Sequence, residues 1–373
     1  MIKKLLIACA GAGKTTRIIK EAIELTNSGI KVLIITYTTN NQTELINKFQ
    51  ELNGTRWDLF IVKGWYSFLL EEIIRPYQNC IFNKRISGIV FTESNPHKKG
   101  NYTIKGTKEK NKNKYNEVHY LNSKNQVYTE FMSKLASRII EESKINVFER
   151  IDDIYGRMYI DEVQDLAGWD FDVIKHLAES KKLEIYSVGD FRQTIYHTSS
   201  NPKKPKEYKD KIDQYQSIGF VVENMNECFR SIQEICIFAD KVHVGEGYEK
   251  TISKVKKSEE NTHTGIYYVN SKEVDKYILE YNPLILKYRF EKKEKLTKKN
   301  NEMTFGQAKG KTVKHVLIYP TPTFIKFLKG DIDAFKNDKT PVNQNKLYVA
   351  ITRARYSVAF VVDDAYFNNM LWK

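Results

Sequence analysis

The sequence predicts an α/β fold of two lobes built on parallel sheets, and three observations lead there. The chain opens with an apolar strand, a glycine-rich loop, a helix and a second apolar strand. That is the opening order of a doubly wound parallel sheet. Near the middle, an apolar strand ends in the acidic run Asp161-Glu162-Val163-Gln164-Asp165. A second α/β pattern begins at Phe220, after a Lys- and Pro-containing segment over 201–211.

Residues 4–9 read as a buried strand, 15–27 as a helix ended by Gly29, and 32–36 as the next strand. Further buried strands are expected at 59–62, 158–160 and 184–188, completing a first lobe over 1–219. Residues 76–126 differ in character. Lys98, Lys99, Lys105, Lys108, Lys110, Lys112 and Lys114 crowd a stretch with Gly100, Gly106 and few apolar side chains. It reads as a small basic insertion, part of it a mobile loop. A helical pattern resumes through Phe131, Leu135, Ile139 and Ile140. The second lobe, 220–373, is expected to hold a helix around 232–242 and strands at 265–269, 315–319 and 357–362.

The 373 residues suffice for two domains with separate cores. With 41% hydrophobic and 28% charged residues, the profile is globular and excludes a disordered or membrane-embedded chain. No stretch approaches a membrane span, and the apolar run before Cys9 is too short for a signal segment. The net charge of +14 suits a polyanionic partner, although a general excess of Lys accounts for it equally well. Cys9, Cys80, Cys228 and Cys236 form no CxxC pair, which points away from thiolate metal sites and disulfides and toward the cytoplasm.

The loop Ala8-Cys9-Ala10-Gly11-Ala12-Gly13-Lys14-Thr15 has the setting that a phosphate-binding loop requires. Gly11 and Gly13 let backbone N–H groups approach phosphate oxygens, and the following helix start adds partial positive charge. Ala10, Gly11, Ala12, Gly13, Lys14, Thr15 and Thr16 are therefore the expected nucleotide contacts. Lys14 would reach the β- and γ-phosphates, and Thr15 would ligate Mg²⁺. Ala8 stands where the strict pattern has its first glycine. Asp161 is placed to hold Mg²⁺ and Glu162 to activate the attacking water. The same acids also read as a solvated helix cap. In Gly189-Asp190-Phe191-Arg192-Gln193-Thr194-Ile195-Tyr196, Gln193 can sense a γ-phosphate, while Gly-Asp alone reads as a turn.

In this order the segments resemble those of the UvrD/Rep-like superfamily 1 helicases. The DEVQD and GDFRQTIY strings carry much of the likeness, together with Thr36-Tyr37-Thr38-Thr39-Asn40, Gly64-Trp65-Tyr66-Ser67-Phe68 and Glu227-Cys228-Phe229-Arg230-Ser231. The block from Thr304 to Thr312 and Tyr348-Val349-Ala350-Ile351-Thr352-Arg353-Ala354-Arg355 complete it. The resemblance implies two RecA-like P-loop lobes with ATP and Mg²⁺ in the cleft between them. It implies translocation on single-stranded DNA, 3′ to 5′, with RNA the lesser alternative. Arg230 and Arg353 would touch the γ-phosphate, joining Lys14, Glu162 and Gln193 as the catalytic set, and Gly310 would lie at the nucleotide. Planar, permanently charged guanidinium groups suit that task. Thr38, Trp65, Tyr66, Ser67, Tyr196, Thr304 and Lys309 would contact the strand. Aromatic residues at such spacings also serve as core, Trp65 first among them. Basic tracts at 98–114, 203–211 and 287–299 read either as lining of the strand path or as solvated loops.

The chain departs from that family in four ways. No Gln-containing, adenine-reading segment precedes the loop in this sequence, Cys228 replaces the usual Asn, and His197-Thr198-Ser199-Ser200 replaces a Trp-containing stretch. Only about seventy residues separate Arg230 from Thr304, too few for the large subdomain that relatives insert there. That shortness motivates a second reading: a DNA-stimulated ATPase subunit that loads or gates a separate nuclease in DNA repair or phage defence.

Overall fold

The computed structural model describes residues 2–54, 57–143, 147–195, 208–256, 262–290, 301–338 and 340–372. The fold is mixed α/β with parallel sheets, as expected. Packing divides it into two compact units. One comprises Met1–Leu6, Lys14–Gly189 and Tyr196–Glu223, and the other Ile7–Gly13, Asp190–Ile195 and Asn224–Lys373.

The first unit is organised by a six-stranded sheet. Its strands are β1 (Lys3–Ala8), β2 (Val32–Thr36), β3 (Phe60–Gly64), β4 (Arg157–Asp161), β5 (Glu184–Gly189) and β6 (Val221–Met225). They lie in the order β6-β1-β5-β4-β2-β3. β4 pairs in parallel with both β5 and β2, and β2 in parallel with β3. Strands buried on both faces need continuous apolar side chains, and Val-Leu-Ile-Ile-Thr of β2 is buried throughout. Helix α1 (Lys14–Asn27) ends as expected: Gly29 takes φ +80, and the Ile30 amide donates to the Leu25 carbonyl. Only a residue without a Cβ adopts that conformation freely. Helix α2 (Thr39–Asn53) follows β2.

Two sequence expectations need correction here. The segment from Phe220, read as the start of the second lobe, supplies edge strand β6 beside β1. An edge strand is selected by hydrogen bonds to a distant partner, which local composition does not record. The stretch expected to contain a loose basic loop carries two short antiparallel ribbons, Lys98–Lys99 with Tyr102–Thr103 and Lys110–Asn111 with Lys114–Tyr115. Beneath them His97, His119 and Tyr120 are buried. His119 Nδ1 bonds to the Thr107 carbonyl at 2.8 Å and His97 Nε2 to the His119 carbonyl at 2.8 Å. These contacts anchor a segment poor in aliphatic side chains.

Helix α3 (Met132–Glu142) packs against α4 (Trp169–Leu177), burying Leu135, Ala136 and Ile139 on one side and Val173, Ile174 and Leu177 on the other.

The second unit is built on five strands: β7 (Gly265–Val269), β8 (Leu284–Lys287), β9 (Glu302–Thr304), β10 (Val313–Ile318) and β11 (Ala354–Val361). Their order is β7-β11-β10-β8-β9, with every neighbouring pair parallel. Helices α5 (Gln233–Asp240), α6 (Val274–Tyr281), α7 (Pro322–Leu328) and α8 (Val342–Ile351) accompany it. One core joins Leu286, Val316, Ile318, Leu347, Val358 and Phe360. Among the described residues, no helix is long and apolar enough to cross a membrane.

Candidate nucleotide and nucleic-acid sites

Each unit carries its own group of the residues singled out by sequence. In the first unit, Lys14 opens α1 and Asp161 and Glu162 sit at the carboxyl end of β4. β5 separates β4 from β1 in the sheet order. Lys14 Nζ stands 3.9 Å from Glu162 Oε1, so the expected phosphate-binding lysine and water-activating carboxylate are neighbours. Thr16 Oγ1 accepts a 2.6 Å bond from Lys48 Nζ.

Glu162 adopts a left-handed conformation, φ +56 and ψ +38. A side chain with a Cβ rarely does so, and the strain is the kind that accompanies a constrained functional position. Gln164 holds it: its Nε2 donates to Glu162 Oε2 at 2.5 Å. Gln164 is itself buried. Its room comes from Gly189, where an added Cβ would lie 2.3 Å from Gln164 Oε1. The DEVQD run marks the site in the sequence, but nothing local assigns Gln164 a part. The spacing of Gln two residues after Glu was the signal, visible only once the turn reversed direction.

Among the described residues, no group of three or more His, Cys, Asp or Glu side chains is arranged to hold a metal ion. The donors expected for Mg²⁺, Thr15 and Asp161, suit an ion that completes its shell with water and phosphate oxygens rather than with a protein cage.

The second unit contains the glycine loop as far as Gly13. Gly11 and Gly13 have φ +77 and +75. A Cβ on Gly11 would meet the Arg230 Cβ at 2.6 Å and Cys228 Sγ at 3.1 Å. The Phe229 amide donates to the Gly11 carbonyl at 2.9 Å, and the Ala10 amide donates to the Tyr348 hydroxyl at 3.1 Å. Ala12 is buried with Cys9, Cys228 and Cys236. The Cys236 thiol donates to the Ser231 carbonyl at 3.6 Å, and its closeness to Cys228 lowers the Cys228 thiol pKa. All four cysteines are free thiols.

Gln193, Arg230 and Arg353 come together in this unit. An Arg353 Nη donates to Gln193 Oε1 at 3.3 Å, and Arg230 donates to the Thr352 carbonyl at 3.1 Å. Gln193 Nε2 also donates to Asp190 Oδ2 at 2.8 Å. Burial lowers the Arg230 guanidinium pKa, against the opposing pull of Cys228, Tyr348 and Asp190. Arg192, which sequence reading passed over, is buried between the Tyr248 and Tyr348 rings, 4.9 and 4.7 Å from their centroids. Burial works against its charge, but Tyr348, Asp190 and Asp240 outweigh that and raise its pKa. Arg192 is thus ion-paired with Asp190 at 3.3 Å and with Asp240 at 3.1 Å. Gly310 has φ +88 and open space at its Cβ position.

The nucleic-acid candidates divide. Thr38 is exposed at the start of α2, where its hydroxyl accepts from the Asn41 amide at 3.2 Å. Tyr66 and Ser67 are half-buried. The Tyr66 hydroxyl lies 3.1 Å from that of Tyr37, and burial followed by Tyr37 raises its pKa. Trp65 is a correction: it is 1% exposed, and its indole N–H donates to Asp170 Oδ1 at 2.8 Å. A buried indole whose only donor is satisfied is core, and it offers no face to a base. Thr304 bonds with Gln307 at the end of β9, and Lys309 is half-buried. Tyr196, residues 203–207 and residues 291–299 lie outside the described residues.

The chain is similar to two solved structures of the arterivirus nonstructural protein 10 helicase. One, in complex with DNA, is 12% identical with a TM-score of 0.46, covering 99% of this chain and 63% of that one. The other is 13% identical with a TM-score of 0.45, covering 99% and 62%. The chain thus spans less than two thirds of the length of either. No family model and no curated protein matches the chain.

Proposed function

We propose that the protein is an ATP-driven motor on single-stranded nucleic acid, a compact UvrD/Rep-like superfamily 1 helicase. The observation that carries this reading is the pairing of Lys14 with a strained, Gln164-held Glu162 at the end of β4. A charge poised for phosphate and a carboxylate aimed by a buried amide are the parts that phosphoryl transfer to water needs.

In this reading ATP supplies the scissile phosphoanhydride, and Mg²⁺ neutralises charge on its phosphates. Thr15 and Asp161 would hold the ion. Lys14 holds the terminal phosphates, Glu162 takes the proton of the attacking water, and Gln193 senses the γ-phosphate. Arg230 and Arg353 stabilise the charge that develops there. Closing and opening of two lobes around the nucleotide would then step the chain along DNA, 3′ to 5′, with Thr38, Tyr66, Ser67, Tyr196, Thr304 and Lys309 on the strand.

ATP turnover measured with single-stranded DNA, duplex DNA and RNA tests this. Single strands should stimulate it strongly, Lys14→Ala should abolish it, and Glu162→Gln should trap bound ATP. Hydrolysis indifferent to every nucleic acid would overturn the motor. The short interval between Arg230 and Thr304 keeps the nuclease-gating subunit as the second reading. Strong turnover without strand displacement by the chain alone would favour it.

A further inference from the structure

We propose that Phe91, in the basic insertion, is a base-stacking residue that extends the single-strand path beyond Tyr66. This rests on the motor reading but assigns a residue that reading does not contain. Phe91 is 77% exposed, yet its ring meets the ring of Tyr66, with centroids 6.1 Å apart and planes at 79°. Tyr66 in turn meets Tyr37 at 5.8 Å and 63°. Both spacings fall within the range of favourable edge-to-face contacts. Three rings therefore form a row whose outermost member keeps most of its surface in water.

The backbone holds Phe91 in that position. On one side, Gly88–Val90 pairs in parallel with Gln126–Tyr128. On the other, the Thr92 amide donates to Thr129 Oγ1 at 3.0 Å, and the two hydroxyls lie 3.1 Å apart. An aromatic ring fixed by its neighbours before binding loses little entropy on contact.

Charge identifies the occupant. Lys98, Lys99, Lys105, Lys108, Lys112 and Lys114 follow on the same insertion, all exposed and none in an ion pair among the described residues. Lys98 is seven residues from Phe91, within about 25 Å along an extended chain. Tyr102, 82% exposed, stands at the turn of the first ribbon. Aromatic faces interleaved with unpaired cations suit single-stranded nucleic acid, whose unstacked bases and phosphates they match together. A duplex keeps its bases stacked on one another and offers no free base face to a ring.

The test is equilibrium binding of a fluorescein-labelled oligo-dT and of a labelled DNA duplex to the full chain, with Phe91→Ala, Phe91→Trp and Phe91→Leu. Phe91→Ala and Phe91→Leu should weaken oligo-dT binding by about 5- to 100-fold, the worth of one stacked base. Phe91→Trp should retain it, and duplex affinity should not change. Binding of a fluorescent ATP analogue should be the same in all variants, which checks folding. Full affinity in Phe91→Ala, or rescue by Phe91→Leu, overturns the stacking role while leaving the motor intact. A wild-type chain that binds no single strand overturns both.

Discussion

Gln164 Nε2 donates to Glu162 Oε2 at 2.5 Å, and it does so across a left-handed turn that places Glu162 beside Lys14. The bond fixes which oxygen faces the lysine. A strained residue persists only where its surroundings over-determine it. Here the surroundings are Gln164 and the missing side chain of Gly189.

Gln164→Leu should therefore lower kcat for ATP hydrolysis by about 10- to 100-fold, the effect of misplacing a catalytic group, while changing KM little. Gly189→Ala should act in the same direction, because its Cβ would lie 2.3 Å from Gln164 Oε1. Steady-state kinetics with a thermal melt of each variant checks this. An unchanged kcat in both would remove Gln164 from the mechanism.

Gly11→Ala should destabilise the chain and impair nucleotide binding. The position combines φ +77 with a Cβ site 2.6 Å from the Arg230 Cβ. Strained backbone alone costs about 1–3 kcal/mol. Chemical denaturation and nucleotide titration measure the two effects separately. A stable variant with ordinary nucleotide affinity would show that the loop has other room.

Trp65→Phe should lower stability by about 1–3 kcal/mol, since the buried Asp170 carboxylate loses the indole N–H. Once folded, the variant should bind single strands as the wild type does. A selective loss of DNA affinity without loss of stability would return Trp65 to the strand path.

Stability should fall as pH drops from about 6.5 toward 4. His263 lies stacked between Tyr267 and Tyr281, centroids 4.0 and 3.7 Å away, with Nε2 2.7 Å from the Tyr277 hydroxyl. Burial first, and His315 second, push its pKa from 6.5 down to about 4. Between those values the unfolded chain binds the extra proton, so this contribution is complete above 6.5 and lost toward 4. Burial and Lys314 lower His315 in the same direction. In melts across that range, His263→Phe should flatten the acid-side slope. An unchanged slope would assign the sensitivity to other groups.

Features encoded by neighbouring residues were legible. The glycine loop, the helix stop at Gly29 and the apolar strands at 32–36 and 265–269 are properties of short windows. The two carboxylates at the end of β4 followed from the same rule, an apolar run broken by charge. Trp65 was less legible: the block around it reads the same whether the ring faces a base or the core. Its partner Asp170 is more than a hundred residues away and gave no local sign.

The sequence by itself determined the alternation of strand and helix, the glycine-rich loop, and the placing of Lys14, Asp161 and Glu162 at element ends, because backbone propensity and apolar spacing act between near neighbours. Only the tertiary structure decided that Val221–Met225 joins the first sheet, that Gln164 restrains Glu162, that Tyr348 takes the Ala10 amide, and that Phe91 stands in solvent against Tyr66. Each of those outcomes depends on which distant groups satisfy a buried donor, acceptor or ring, and that competition is settled only when the chain has packed.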